Sequence, residues 1–279
     1  MTTFAGRRCC LAISRSSGAA TPIPTAALFP ASPILSCFNP TSLVFAARGS
    51  FYQRGEFHGQ EYVQFNPLFG YQYSHVWIDP RGLADPYMHD KGIDYFVNAR
   101  RATLANRAYC IANPGGFKGY GENIWGLSAC MGPASVTVQI EDKSVRFKTY
   151  SARGASRRSI NDDGTITPTT AGGSVPFAPE ITIPALMAMH EHFGDLLFNH
   201  HGFLDAFNPT YREEWGPAAH GIIHPEHGWF DDRQLGIDQG PILLMTENHR
   251  TGFVWEVMKR SPYIQKGLKL SGFTADWLM

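Results

Sequence analysis

The sequence predicts an all-α fold in which helices are joined by long loops. Three observations predict it. Apolar residues recur near a 3.6-residue period, most clearly over residues 92–114. Only one stretch alternates apolar and polar residues as paired strands do. No strand–helix–strand succession runs through the 279 residues.

The first 48 residues stand apart from the rest. They contain no acid, the first being Glu56, and carry Arg7, Arg8, Arg15 and Arg48 among Ser, Ala and Pro. This composition fits a disordered extension, a start read too far upstream, or a processed export signal. The apolar run after Arg8, "CCLAI", is short for a secretory core. Residues 1–48 are therefore set outside the fold, and 49–279 are taken as one helical domain.

A buried helix is expected over 68–78, stopped by Asp79-Pro80. A second follows over 92–114, with Ile93, Phe96, Val97, Leu104, Ala108 and Ile111 as its periodic apolar positions and Asn113-Pro114 ending it. The loop "GYGENIWGLSACMGP" spans 119–133. Val136, Val138 and Ile140 alternate, then Val145, Phe147 and Thr149, with Glu141-Asp142-Lys143 between them. That is a hairpin. Turn residues fill 161–179. A helix begins after Glu180, with Pro184 close to its first turn. Residues 200–234 are rich in loops, and a last long apolar helix is expected to begin at Gly240-Pro241.

Charge and composition narrow the function. Lys plus Arg equals Asp plus Glu at 24 each, which leaves no electrostatic footprint for nucleic acid. Aromatic residues are 13%, with 28 Gly and 19 Pro, a balance suited to ring-bearing loops that hold an uncharged ligand. The cysteines, at 9, 10, 37, 110 and 130, form neither a disulfide framework nor a zinc knuckle. Seven histidines fall between His190 and His227, but "HEHF" is not HExxH and His190 and His192 point to different helix faces. A metal enzyme is thus the weakest reading, and no cofactor is implied.

The motifs "QYSHVWIDPRG", "RRATLANRAYCIANP", "GYGENIWGL", "YSARG", "DDGTITPTTAGGSVPFAPE", "GFLDAFNPT", "LGIDQGPILLMTENHRTG" and "GLKLSGFTADWL" occur in that order. Together they resemble the glycoamylase-like family, which includes bacterial β-1,2-glucanases and the transglycosylating domain of cyclic β-1,2-glucan synthases. The resemblance implies an (α/α)6 toroid with a sugar groove at one end, of which this sequence matches the C-terminal half. It implies an oligo- or polysaccharide substrate, a periplasmic or secreted location, and an upstream chain or self-association to complete the ring. Two positions depart from the family: Met131 stands where an aspartate is usual, and Val97 near where an acid is frequent.

Cleaving a bond between sugars needs a proton donor for the leaving oxygen and a base or nucleophile on the opposite face. Two carboxylates supply these at about 5–5.5 Å for retention or about 6.5–9.5 Å for inversion. Glu122, between Tyr120 and Trp125, is the candidate acid, since an apolar setting would keep it protonated; the alternative is a loop acid bonded to local amides. Glu61 in "GQEYVQ" matches, by the resemblance, a motif that carries a catalytic glutamate; the alternative is an acid near a helix N-terminus. Asp238 in "GIDQGP" is expected to be ionised by the helix start after it and to serve as base or hydroxyl acceptor, or else to be a plain N-cap.

Tyr120, Asn123, Trp125, Glu180, Gln239, Trp77 and Arg81 complete the candidate substrate contacts, with Phe177 and Trp215 as further stacking surfaces. Asp205 is read, like Arg81, as structural or sugar-contacting. Two functions remain open: a glucan hydrolase or transglycosylase, and a catalytically inactive half-domain that at most binds glucan.

Overall fold

The computed structural model describes residues 53–278, so the expected leader lies outside the described residues. The helices are α1 Tyr73–Trp77, α2 Pro86–Asp90, α3 Tyr95–Ala112, α4 Thr169–Gly172, α5 Pro179–Phe193, α6 Gly236–Arg250, α7 Phe253–Lys259 and α8 Pro262–Leu270. Among the described residues thirteen short strands form six small sheets, two strands ahead of α1 and the rest between helices, a departure from the all-α expectation. Long connections that are buried must pair their backbone groups locally, and short antiparallel ladders do so.

The first sheet pairs β1 Arg54–Phe57 with β2 Gln60–Val63. The expected hairpin is β4 Val136–Ile140 with β5 Lys143–Phe147, in the register Val136↔Phe147 and Val138↔Val145. Beside it β3 Ala129–Met131 pairs with β6 Tyr150–Ala152. Two-residue ladders join β7 Gly154–Ala155 to β8 Ile160–Asn161, and β9 Phe198–Asn199 to β10 Gly202–Phe203. A three-stranded sheet places β13 Gly228–Phe230 between β11 Phe207–Asn208 and β12 Ile222–His224.

Helix α3 forms where the periodicity places it. Asp94 caps its first turn by accepting from the Val97 amide, and Asn113 ends it in the left-handed conformation at φ 43°. Its buried face is not the expected one. Tyr95, Asn98, Ala99, Ala102, Thr103, Ala105, Asn106, Tyr109 and Cys110 are inside, whereas Ile111 is exposed. Alanines let the helix approach β2 and the turn before α1 closely, and Asn98 and Asn106 spend their amides on the Val63 and Leu127 backbones.

The helix expected over 68–78 is broken. A 3-10 turn over Leu68–Tyr71 gives way to α1 at Gln72, whose side-chain amide donates to Thr170 O and Ser174 Oγ, each at 2.8 Å. Residues 163–178, expected as a loop of turn residues, are wholly buried. Their hydroxyls are paired: Thr167 Oγ1 donates to Asp205 O at 2.7 Å and Thr170 Oγ1 to Thr167 O at 2.6 Å. Gly126 lies against this segment at φ +142°, where a Cβ would come 2.7 Å from Thr170 Oγ1. Glycine is required there for close approach.

Helix α4, within this segment, packs on both α5 and α6, and α6 in turn packs on α1 and α7. One apolar core gathers Trp125, Leu127, Ile166, Met189, Phe193, Phe207 and Phe230. Another gathers Tyr62, Leu68, Tyr71, Ala99, Ala102, Phe177, Met245 and Trp255.

Candidate active site

Three aspartates from separate segments meet inside the molecule. Asp205 lies two residues before β11 and Asp231 follows β13 directly. The register Phe207↔Phe230 brings these ends together, with the Asp231 amide donating to Ala206 O and the Asp205 amide to Arg233 O, each at 2.9 Å. Asp238 enters from the first turn of α6. The expected helix start at Gly240-Pro241 is thus four residues late: Leu235 is the N-cap, Asp238 lies inside the helix, and Pro241 follows in its next positions. Thr169 Oγ1 reaches the Asp238 carbonyl at 3.3 Å, which ties α6 to the buried central segment.

The aspartates are 1%, 1% and 3% exposed for Asp205, Asp231 and Asp238. Asp205 Oδ2 accepts from the Met131 amide at 2.8 Å, and Asp231 Oδ1 from the Asp232 amide at 2.9 Å. Asp205 Oδ1, Asp231 Oδ2 and Asp238 Oδ2 meet no donor among the described residues. Burial, then the neighbouring Asp205 charge, raises the Asp238 carboxyl well above the usual carboxylate range. Burial also raises Asp205, with the Met131 amide opposing it, and raises Asp231 to about 7. The helix terminus expected to ionise Asp238 is outweighed by burial among like charges.

Beside the aspartates stands Tyr73, half-buried at the start of α1, its hydroxyl pushed up by burial and by Asp238 and Asp205. Tyr150, 61% exposed, interacts with Tyr73 and pairs across strands with Met131. The Met131 backbone thus contacts Asp205 while its side chain packs in the core under the β4–β5 hairpin. A buried ion pair frames this region: Arg153 holds Asp163 and donates to the Cys130 and Lys148 carbonyls at 2.8 Å.

The other expected residues are dispersed. Glu61 sits in β2, 58% exposed, ion-paired to Arg54 at 3.0 Å, and that guanidinium lowers its pKa. Glu122 and Asn123 are exposed, so Glu122 lacks the apolar surroundings expected of it; its carbonyl accepts from Arg107. Trp125 and Phe177 are 0% and 1% exposed and pack in the two cores, so neither ring offers a face to a sugar here. Trp215 stacks on Phe147 with centroids 5.6 Å apart. Tyr120 bonds Asp162 at 2.6 Å, Glu180 pairs with Arg100 at 2.7 Å, and Gln239 donates to Phe203 O at 2.6 Å. Arg81 grips the buried Asp79 and lies over Trp255, while Trp77 is 47% exposed.

Asp231, Tyr73 and Tyr150 were not singled out from the sequence. The sequence signal for Asp231 is its place directly after the apolar pair Trp229-Phe230 in "GWFDD". Among the described residues no three His, Cys, Asp or Glu side chains, these aspartates included, are set as metal ligands.

This fold belongs to a recognised class. The sequence model described as "Glycoamylase: Putative glucoamylase" matches residues 26–262, and the chain belongs to this glycoamylase-like family. Over 203 residues it is 32% identical to an exo-β-1,2-glucooligosaccharide sophorohydrolase (non-reducing end) of Parabacteroides distasonis, covering 73% of this chain and 23% of the relative. The structure is similar to an endo-β-1,2-glucanase of Chitinophaga pinensis in complex with sophorotriose and glucose, with a TM-score of 0.67, 30% identity, and coverage of 88% of this chain and 54% of that one. It is also similar to a "putative glucoamylase" of Bacteroides uniformis, with a TM-score of 0.66, 37% identity, and coverage of 88% and 54%. The chain spans about half the length of these solved relatives and less than a quarter of the curated one.

Proposed function

We propose that this chain contributes to hydrolysis or transfer of β-1,2-linked glucan, with Asp238 as the group that carries the catalytic proton. One observation supports this reading above the rest: a buried carboxyl beside two others, raised so that it holds a proton near neutral pH. A glycosidase general acid requires that property. The relatives with β-1,2-glucan in their names supply the substrate class. In this scheme Asp238 protonates the departing sugar oxygen. Glu61, kept ionised by Arg54, is the counter-carboxylate candidate, and Glu122 and Asn123 contact sugar hydroxyls from the exposed loop. Tyr150 offers a ring face beside Tyr73. The helices of 49–279 are proposed to be one part of an (α/α)6 ring, and the glucan to be met outside the cytoplasm.

The test is reducing-sugar release from β-1,2-glucan and its oligosaccharides by the wild type and by Asp238→Asn. Wild-type turnover that the substitution abolishes supports the proposal; turnover unaffected by the substitution removes Asp238 from the chemistry. A second reading, glucan binding without turnover, is favoured by one observation: Glu61 and Glu122 are exposed and lie outside the aspartate group. Calorimetric binding of oligosaccharide without any product would favour it.

A further inference from the structure

We propose that Asp205 is a positioning residue that shares a single proton with Asp238 and so fixes which carboxyl is the acid. The inference rests on the reading of Asp238 as proton carrier. Its basis is geometric. Thr167 and Thr169, two residues apart, donate to the Asp205 and Asp238 carbonyls, and Gln239 donates to Phe203 O, so the two segments are held together and each buried carboxyl feels the other. Each keeps one buried oxygen, Asp205 Oδ1 and Asp238 Oδ2, that no protein donor meets. Carboxylates only accept, so two facing carboxylates leave both oxygens unsatisfied and set like charges together. One proton between them removes both penalties.

The backbone decides where the proton rests. Asp205 Oδ2 already accepts from the Met131 amide, and Asp205 feels the charges of Arg153 and Arg233. These stabilise its anion. Asp238 has no cation among its interactions; it faces Asp205 and Asp231 and stands beside the Tyr73 hydroxyl. The proton therefore sits on Asp238 and is donated to Asp205. Asp231, raised to about 7 by burial and by Asp205, adds negative charge only as pH rises past that value, and Arg233 and the Asp232 amide favour its anion. Of the other titratable groups near by, His220 and Asp232 flank Asp205 and Asp231, and Cys130 and Tyr150 flank Tyr73.

The arrangement assigns different work to two similar residues. Asp238 meets the sugar oxygen and gives up the shared proton to it; a proton released by the hydrolytic water returns to the pair before the next turnover, and the anion held on Asp205 directs it back to Asp238. Asp205→Asn keeps an acceptor oxygen for Met131, removes the charge and turns the unpartnered oxygen into an N–H donor.

Carbon-13 NMR titration of aspartate-labelled protein tests this without substrate. The wild type is expected to show two coupled steps from this pair, one displaced above the ordinary carboxylate range. Asp205→Asn should leave one step, at least one pH unit lower, and move the alkaline limb of any activity profile in the same direction. A displaced step that persists unchanged in Asp205→Asn would overturn the proposal and reduce Asp205 to a backbone acceptor. If that variant does not fold, Asp238→Asn reads the same coupling from the other side: the remaining Asp205 step must move, and an Asp205 step unchanged from the wild type would equally overturn the proposal. Coupled titration in a protein inactive on glucan would refute the hydrolase reading and leave this one standing; activity on glucan with uncoupled titration would do the reverse.

Discussion

Arg153 and Asp163 meet side-on, with Nε 2.6 Å from Oδ1 and Nη2 2.8 Å from Oδ2, and the two side chains are 0% and 3% exposed. The guanidinium also serves the Cys130, Met131 and Lys148 carbonyls. Asp163→Leu leaves that cation buried without a counter-charge. Such a loss costs about 3–5 kcal/mol. Urea denaturation is the measurement, and a loss below about 1 kcal/mol would show that the carbonyls alone hold the charge.

His75 is 4% exposed, its ring nitrogens meet no partner among the described residues, and burial lowers its pKa from 6.5 to about 4. The unfolded ring gains a proton as pH falls through 6.5 while the folded ring stays neutral. Stability from this group is thus full above 6.5 and is lost as pH falls toward 4. His75→Phe removes the dependence, so wild type and variant should diverge by about 2 kcal/mol more at pH 5 than at pH 7. Parallel pH curves would disprove the assignment.

Asp231 acts with the opposite sign. Raised to about 7, it holds its proton in the folded state, so stability is greatest below the unfolded carboxylate value and declines as pH rises to 7. Asp231→Asn should flatten that decline in thermal unfolding followed from pH 4 to pH 8. A slope equal to that of the wild type would mean that the group is ionised throughout.

Glu61 and Tyr150 separate binding from folding. Both side chains are largely exposed, and exposed pairs add little to stability. Glu61→Gln and Tyr150→Ala should leave the melting temperature within measurement error. On the proposed function, the first lowers turnover by roughly 10²–10⁴-fold and the second weakens oligosaccharide binding. A marked drop in melting temperature for either would make the side chain structural.

The sequence was informative where a local rule had no competitor. The Asn113 stop and the β4–β5 alternation each depend on neighbours in the chain, and both formed as expected. The inward face of α3 was misjudged because contact with β2 favours Ala99 and Ala102 over Leu104 and Ile111. The Asp205–Asp231 pairing was illegible because it depends on a two-residue ladder joining Phe207 to Phe230, too short for any period to reveal. Glu122 drew notice through its aromatic neighbours, but Trp125 turns inward and leaves the acid outside. Asp238 was found, yet its charge state depended on partners 33 and 7 positions away in sequence, Asp205 and Asp231.

The stretch from Asp163 to Ala178 reads like a tether, rich in Thr, Gly, Ser and Pro. Enclosed on all sides and with its hydroxyls spent inside the protein, it forms the keel of the molecule instead. Its amides should be among the last to exchange with deuterated solvent, and a protease added to the native protein should find no cut site there.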